Sequence, residues 1–293
     1  MLTLLLRGGV KLLQISDRDK ALRKGELLGS LLNFIGYRKK VILKNLDIAF
    51  PELNKLEKEK TAEGVLQYIG RNIVDFVRIP VYSRKNQILD IADIVEGKEL
   101  LYKYKDKGAI LITGHIGNWE ILGAVISKLN YKITVLAYRQ ENKKINQFIE
   151  SIRTSANIGI IYHDQPLKKM LKILNEGGFL GFLADQNALR HRGVFVDFFN
   201  FPASTISLPA KISLKYRIPM IFTYNYLDLK DKKYKIFFKE IDISKYSKNQ
   251  YKELTQEFTK ELEKAIRKNP SQYLWTHKRW KTRPEGEPEN IYR

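Results

Sequence analysis

"AILITGHIGNWEILGAVISKLNYKITVLAY", residues 109–138, is where the periodicity of this chain changes. The apolar run 109–113 has the length of a strand, and it ends at Gly114. "NWEILGAVISKL" (118–129) then repeats its apolar residues at helical spacing behind an asparagine that can cap it. "KITVLAY" (132–138) returns to strand character. Strand, helix and strand within about thirty residues describe a βαβ unit, whose two strands run parallel. The pattern continues downstream with a helix in "NKKINQFIESIRTSA", a strand in "IGIIYH", a helix in "PLKKMLKILNEG" and a strand in "FLGFLAD" (179–185). Beyond "GVFVDFF" (193–199) it predicts a helix over 204–217, strands over 219–226 and 233–241, and a long helix over 250–269 stopped by Pro270. The fold class is α/β: a mixed, largely parallel sheet flanked by helices.

Upstream, residues 1–96 read as a helical cover. In "ALRKGELLGSLLNFI" (21–35), Leu27, Leu28, Leu31, Leu32 and Ile35 share one helical face, and Leu2, Leu4, Leu5 and Leu6 form an apolar tip ahead of it. A basic amphipathic segment of this kind suits a membrane interface; the alternative is a helix packed on the core. Residues 1–35 are therefore expected to associate with a membrane, and 36–293 to form one α/β domain. A helix ends before Pro51, and a long one over 55–79 turns Val65, Ile69, Ile73 and Phe76 inward. No repeat, low-complexity tract or linker interrupts the chain.

Composition narrows the function. There is no cysteine, which excludes thiol nucleophiles, disulfides and zinc–thiolate sites. With 36 Lys and 16 Arg against 32 acidic residues, the net charge of +20 calls for an anionic partner. The excess gathers at the ends: ten basic against three acidic residues in 1–45, and seven basic with no acid in 264–283. Trp275 and Trp280 fall in that second cluster, where they suit interfacial anchoring. Nucleic acid is the competing partner, but no recognition module is legible. No stretch reaches the ~20 apolar residues of a membrane span, and no signal peptide stands out. The protein is therefore expected to remain in the cytoplasm, where it can still lie on a membrane.

The candidate chemistry lies in "GHIGNWE" (114–120). His115 sits just past a strand's carboxyl end, where open α/β sheets hold ligands, between glycines that let a substrate approach the backbone. With Asn118 capping the next helix, Glu120 lies in its first turn and can reach back to the imidazole, making it a base for a hydroxyl. The amides of that helix start are available to a phosphate or oxyanion. His163 and His191 read as surface residues, and Trp119 as packing. No nucleophile elbow, Walker loop, dinucleotide fingerprint or metal cluster is present, so direct acyl transfer to an alcohol fits best.

These residues resemble the bacterial lipid A biosynthesis (lauroyl/myristoyl, late) acyltransferases. "GHIGNWE" is similar to their signature block. Further similar blocks follow the family's order: "KNLDIAFPEL" (44–53), "YRQENKKINQFIESIRTSANIG" (138–159), "GFLADQN" (181–187), "GVFVDFFNFPAST" (193–205) and "PSQYLWTHKRWKTRP" (270–284). The resemblance implies a glycerolipid-acyltransferase-like fold, His115 as general base with Glu120 as its partner, and Arg153 and Asp185 supporting them. Gly114, Gly117, Asn118, Trp119, Arg139 and Gln186 are the implied substrate contacts, Arg139 facing a phosphate. No metal or cofactor is implied; the donor is a phosphopantetheine thioester on an acidic acyl carrier protein or coenzyme A. The acceptor is a hydroxyl of a lipid A precursor or other membrane glycolipid, the alternative being a glycerophospholipid or phosphoinositide mannoside. Asn200, Leu208 and Asn225 or Tyr226 depart from the family pattern, where glycine, glycine and arginine are usual.

Overall fold

A computed structural model describes residues 2–289, 291 and 292, with side chains from residue 8 onward. The chain opens with α1 (Leu2–Ile15), α2 (Arg18–Phe34), α3 (Lys39–Ala49) and α4 (Lys55–Arg84), followed by β1 (Ala92–Glu96) and α5 (Lys98–Tyr104). The αβ alternation is β2 (Ala109–Thr113), α6 (Trp119–Lys128), β3 (Ile133–Ala137), α7 (Lys143–Ser155), β4 (Gly159–Tyr162), α8 (Leu167–Asn175) and β5 (Phe179–Leu183). β6 (Gly193–Phe198), β7 (Phe201–Ile206), α9 (Leu208–Tyr216), β8 (Met220–Leu227), β9 (Tyr234–Ile241) and α10 (Tyr251–Lys268) complete it.

Seven strands form one sheet in the order β1-β9-β8-β2-β5-β3-β4, parallel throughout except for β8 against β9. β2 is buried along nearly its whole length, as a central parallel strand covered on both faces must be. Its neighbour β5 lies 70 residues on, after the β3 and β4 excursion, with Thr113 opposite Leu183. That register decides the site, because residues two beyond each of those positions leave the sheet side by side.

Two stretches differ from the sequence reading. Residues 92–96 are a strand: the helical cover ends at α4, and β1 pairs with β9 at the sheet edge. Residues 204–206 are also strand, because β7 folds back on β6 as a separate hairpin and α9 starts only at Leu208. The hairpin turns on Phe199 and Asn200, both with positive φ (55° and 57°). Asparagine tolerates that conformation, which accounts for its standing where glycine is usual.

α2 packs on α4 through its smallest residues. Gly25 and Gly29 lie against Gly70 and the Leu66–Gln67 backbone so closely that a Cβ on Gly70 would fall 1.9 Å from the Gly25 carbonyl oxygen. The leucine face consequently points outward: Leu27, Leu31, Phe34 and Ile35 are exposed, Phe34 to 88%. The apolar tip Leu2–Leu6 belongs to α1, but its side chains lie outside the described residues. On α4, Val65 is buried with Leu66, Val74 and Val77, whereas Ile73 is exposed rather than inward. Arg18 anchors the cover further, binding the buried Asp75 carboxylate at 2.7 and 3.2 Å. Asp75 also accepts the hydroxyls of Tyr82 (2.5 Å) and Tyr234 (2.9 Å). Among the described residues no helix is long and apolar enough to cross a membrane.

The C-terminal basic cluster is partly interior. Trp275 and Trp280 are fully buried, so they are core residues rather than interfacial anchors. Arg279 and Arg283 are buried with them. Arg279 donates to the Ser204 carbonyl (2.8 Å) and to Thr205 Oγ1, and Arg283 to the Pro202 carbonyl (2.6 Å), tying the β6–β7 hairpin down.

Candidate active site

The loop from Gly114 to Asn118 leaves the end of β2 and is held from three directions. From α4, Tyr68 Oη donates to the Gly117 carbonyl at 2.6 Å and Asn72 Nδ2 at 2.9 Å. From β8, the Asn225 side chain accepts the Asn118 N–H (2.7 Å) and donates to the Asn118 carbonyl (2.9 Å). From the C-terminal segment, the Gln272 carbonyl accepts the Gly117 N–H (2.9 Å) and the Leu274 N–H donates to the His115 carbonyl (3.0 Å). Gly117 has φ of +57°, and a Cβ there would lie 1.9 Å from the Asn225 carbonyl oxygen. Only glycine fits this approach.

His115 meets Asp185, not Glu120. The imidazole Nδ1 stands 2.7 Å from Asp185 Oδ1, and the His115 backbone N–H donates to Oδ2 at 2.9 Å. A carboxylate at Nδ1 holds the proton on that nitrogen and leaves Nε2 bare, the tautomer a general base requires. Asp185 is buried, which works to raise its pKa, but the charge and two hydrogen bonds of His115, with the buried Arg279 guanidinium, hold it down at about 2. The Trp119 ring packs edge-on against the imidazole, 4.6 Å between centroids.

Glu120 forms a second pair. Arg153, from the last turn of α7, binds it through two bonds, Nε at 2.9 Å and Nη2 at 2.6 Å, and Trp119 Nε1 donates to it at 3.1 Å. The expected reach of Glu120 back to His115 is thus replaced: the β2–β5 register delivers Asp185 to the imidazole, while the turn of α6 directs Glu120 to Arg153. His115 and the Glu120–Arg153 pair face one cavity of about 560 Å³, lined also by Trp119 and Gln186 and by apolar residues of β3 and β5. A smaller recess of about 50 Å³ behind Glu120 and Arg153 is lined by Leu122, Ile126, Val135, Ile158 and Gly181.

The remaining expected contacts divide. Trp119 and Gln186 line the cavity, the Gln186 amide nitrogen 3.4 Å from His115 Nε2. Gly114, Gly117 and Asn118 are buried beneath it. Asn118 caps α6, accepting the Glu120 and Ile121 N–H groups at 3.2 and 3.1 Å, so these three shape the loop. The expected anion pocket at that helix start is largely taken up, the Asn118, Glu120 and Ile121 amides being engaged inside the protein. Arg139 lies on the surface, its guanidinium 3.7 Å over the Tyr162 ring and paired with Asp164 at 3.4 Å. His163 and His191 are exposed, as expected, with His163 stacked on Tyr138.

Four contributors were not recognised in the sequence. Tyr68 and Asn72 carried a signal in their i,i+4 spacing on α4. Asn225 was legible only as a departure from the family pattern. His277 sits in a matching block; its Nε2 accepts the Asn187 N–H at 3.0 Å, and burial pushes its pKa down to about 4. Among the described residues no cluster of three or more metal-ligating side chains occurs.

Known proteins are similar to this chain over nearly its whole length. Residues 1–282 match the family model described as bacterial lipid A biosynthesis acyltransferase. The chain is 25% identical over 280 residues to the lipid A biosynthesis palmitoleoyltransferase of Escherichia coli (strain K12), covering 90% of this chain and 85% of that protein. It is 23% identical over 272 residues to the lipid A biosynthesis lauroyltransferase of the same organism, covering 91% and 87%. A lipid A biosynthesis acyltransferase of Haemophilus influenzae is 22% identical over 279 residues, covering 88% and 82%. With the family model spanning nearly the whole chain, this protein belongs to the bacterial lipid A biosynthesis acyltransferases and is an acyltransferase.

Proposed function

We propose that this acyltransferase moves a fatty acyl chain from a phosphopantetheine thioester, on an acyl carrier protein or coenzyme A, directly to a hydroxyl of a lipid A precursor. The observation that carries this reading is His115, with Nδ1 tied to Asp185 at 2.7 Å and its ring on the wall of the 560 Å³ cavity. Nε2 takes the acceptor's proton as its oxygen attacks the thioester carbonyl, and returns it to the departing thiolate. The residues lining the cavity include no serine, threonine, cysteine or lysine, which favours direct transfer over an acyl-enzyme. Glu120 and Arg153 hold one another and Trp119 in place as the wall between cavity and apolar recess.

The outward leucine face of α2 and the ten basic residues of 1–45 support docking on an anionic inner-membrane surface from the cytoplasmic side, where the lipid acceptor would be reached. The test is direct. Purified protein is incubated with acyl–acyl carrier protein or acyl-coenzyme A and a lipid A precursor, and the product mass is measured. Mass gain equal to one acyl group, abolished in His115→Ala, is expected. A product found only with a glycerophospholipid acceptor would redirect the acceptor assignment, and an active His115→Ala would refute the mechanism.

A further inference from the structure

We infer that the side-chain amide of Gln186 is the donor that meets the thioester carbonyl oxygen as it becomes an oxyanion, a role that rests on the acyl-transfer reading above. Attack on a thioester puts a negative charge on that oxygen, and preorganised N–H donors aimed at it supply much of the catalysis. The usual source, a helix start beside the base, is largely taken up. The His115 N–H is on Asp185 (2.9 Å), that of Gly117 on Gln272 (2.9 Å) and that of Asn118 on Asn225 (2.7 Å). Those of Glu120 and Ile121 are on the Asn118 side chain (3.2 and 3.1 Å). On the cavity wall, the Trp119 indole N–H and two nitrogens of Arg153 are engaged by Glu120.

Gln186 is the side chain that reaches the imidazole Nε2. Its side chain lines the cavity with its amide nitrogen 3.4 Å from His115 Nε2. The orientation of that amide follows from the tautomer: Asp185 keeps the proton on Nδ1, so Nε2 presents a lone pair. An amide oxygen there would face it in repulsion; the NH₂ end is the one that fits. A donor at that point lies beside the space the acceptor hydroxyl must enter, and so beside the carbonyl under attack. The backbone on either side is fixed. Asp185 is held by its two bonds from His115. Asn187 is clamped by His277 (3.0 Å) and by a pair of bonds with Thr282 (2.9 and 2.8 Å). Only the Gln186 side chain has to adjust when substrate arrives.

In the step itself, the acceptor oxygen bonds to the thioester carbon and its proton passes to His115 Nε2. The carbonyl π pair moves to oxygen, which accepts a hydrogen bond from Gln186. On collapse the C=O bond re-forms, the C–S bond breaks with its electron pair on sulfur, and the His115 proton goes to that thiolate. Nothing else is consumed.

The test uses the full chain carrying Gln186→Met, which keeps length and removes the donor, with Gln186→Ala beside it. Dodecanoyl-coenzyme A is the donor, and both transfer to a lipid A precursor and hydrolysis by water are followed. The expected result is a fall in kcat of about 10²–10³-fold in both reactions, KM within about threefold, and an unchanged pH limb for His115. Thermal unfolding at the wild-type temperature is expected, because the side chain is exposed. A kcat within threefold of wild type, or a rise in KM alone, would overturn the assignment while leaving His115 as base. A wild type that turns over no thioester would overturn the acyl-transfer reading and this inference together.

Discussion

Replacing Asp185 by Asn separates the two carboxylates of the site. The ionised Asp185 holds both the His115 backbone N–H and the Nδ1–H. Its pKa of about 2 in the folded protein, against about 3.9 unfolded, corresponds to on the order of 2–3 kcal/mol of stability at neutral pH. Because the folded pKa is the lower one, that contribution is complete above about pH 4 and lost as pH falls through 2. An asparagine keeps the size but can turn its NH₂ towards Nδ1, which then becomes the acceptor and moves the ring proton to Nε2. The base is lost. The equivalent substitution in the serine-protease triad lowers turnover about 10⁴-fold, and a loss of about 10³–10⁴-fold is expected here. The assays are urea unfolding at pH 7 and near pH 3, steady-state acyl transfer, and ¹⁵N NMR of the imidazole. Glu120→Gln serves as the control: it should leave the His115 tautomer on Nδ1, because Glu120 touches Arg153 and Trp119 instead. If Asp185→Asn kept the tautomer and a tenth or more of the activity while Glu120→Gln lost both, the geometric argument would be wrong.

Other expectations follow from the same contacts. His277 is held neutral with its pKa lowered from 6.5 to about 4, so up to roughly 3 kcal/mol of stability present above pH 6.5 should fade as pH drops through 4. His277→Gln should flatten that dependence between pH 7 and 4.5 in urea titrations, and parallel curves would contradict it. Gly70→Ala drives a methyl into the Gly25 carbonyl and should destabilise the protein by about 3 kcal/mol or more; an unchanged urea midpoint would show that α2 can lift off α4 freely. Leu31→Glu with Phe34→Glu removes two exposed apolar side chains, each contributing about 1.5–3 kcal/mol when buried in lipid. Partition onto anionic vesicles should fall by about 10²-fold or more without loss of fold, and unaltered binding would place the membrane contact elsewhere.

Whatever depends on near neighbours is legible in the sequence. The βα alternation from residue 109 onward, the Asn118 cap, the strand-end histidine and the ordered family blocks are all written in local spacing, and each element from β2 to β5 lies within a residue or two of its expected bounds. Tertiary structure decided what depends on which strands and helices become neighbours. Glu120 is five residues from His115 and Asp185 is seventy, yet the β2–β5 register sets Asp185 against the imidazole, because α6 carries Glu120 round towards α7. Likewise α2 shows two opposed faces in sequence, one of leucines and one of glycines. The opportunity for backbone contact with Gly70, not hydrophobicity, chose which went inward. The basic tail reads as a surface from its charge alone, but Arg279 and Arg283 find the Ser204 and Pro202 carbonyls only once the β6–β7 hairpin is in place. Spacing along the chain specifies secondary structure and its caps. Partners across the sheet are specified by the packing of the whole.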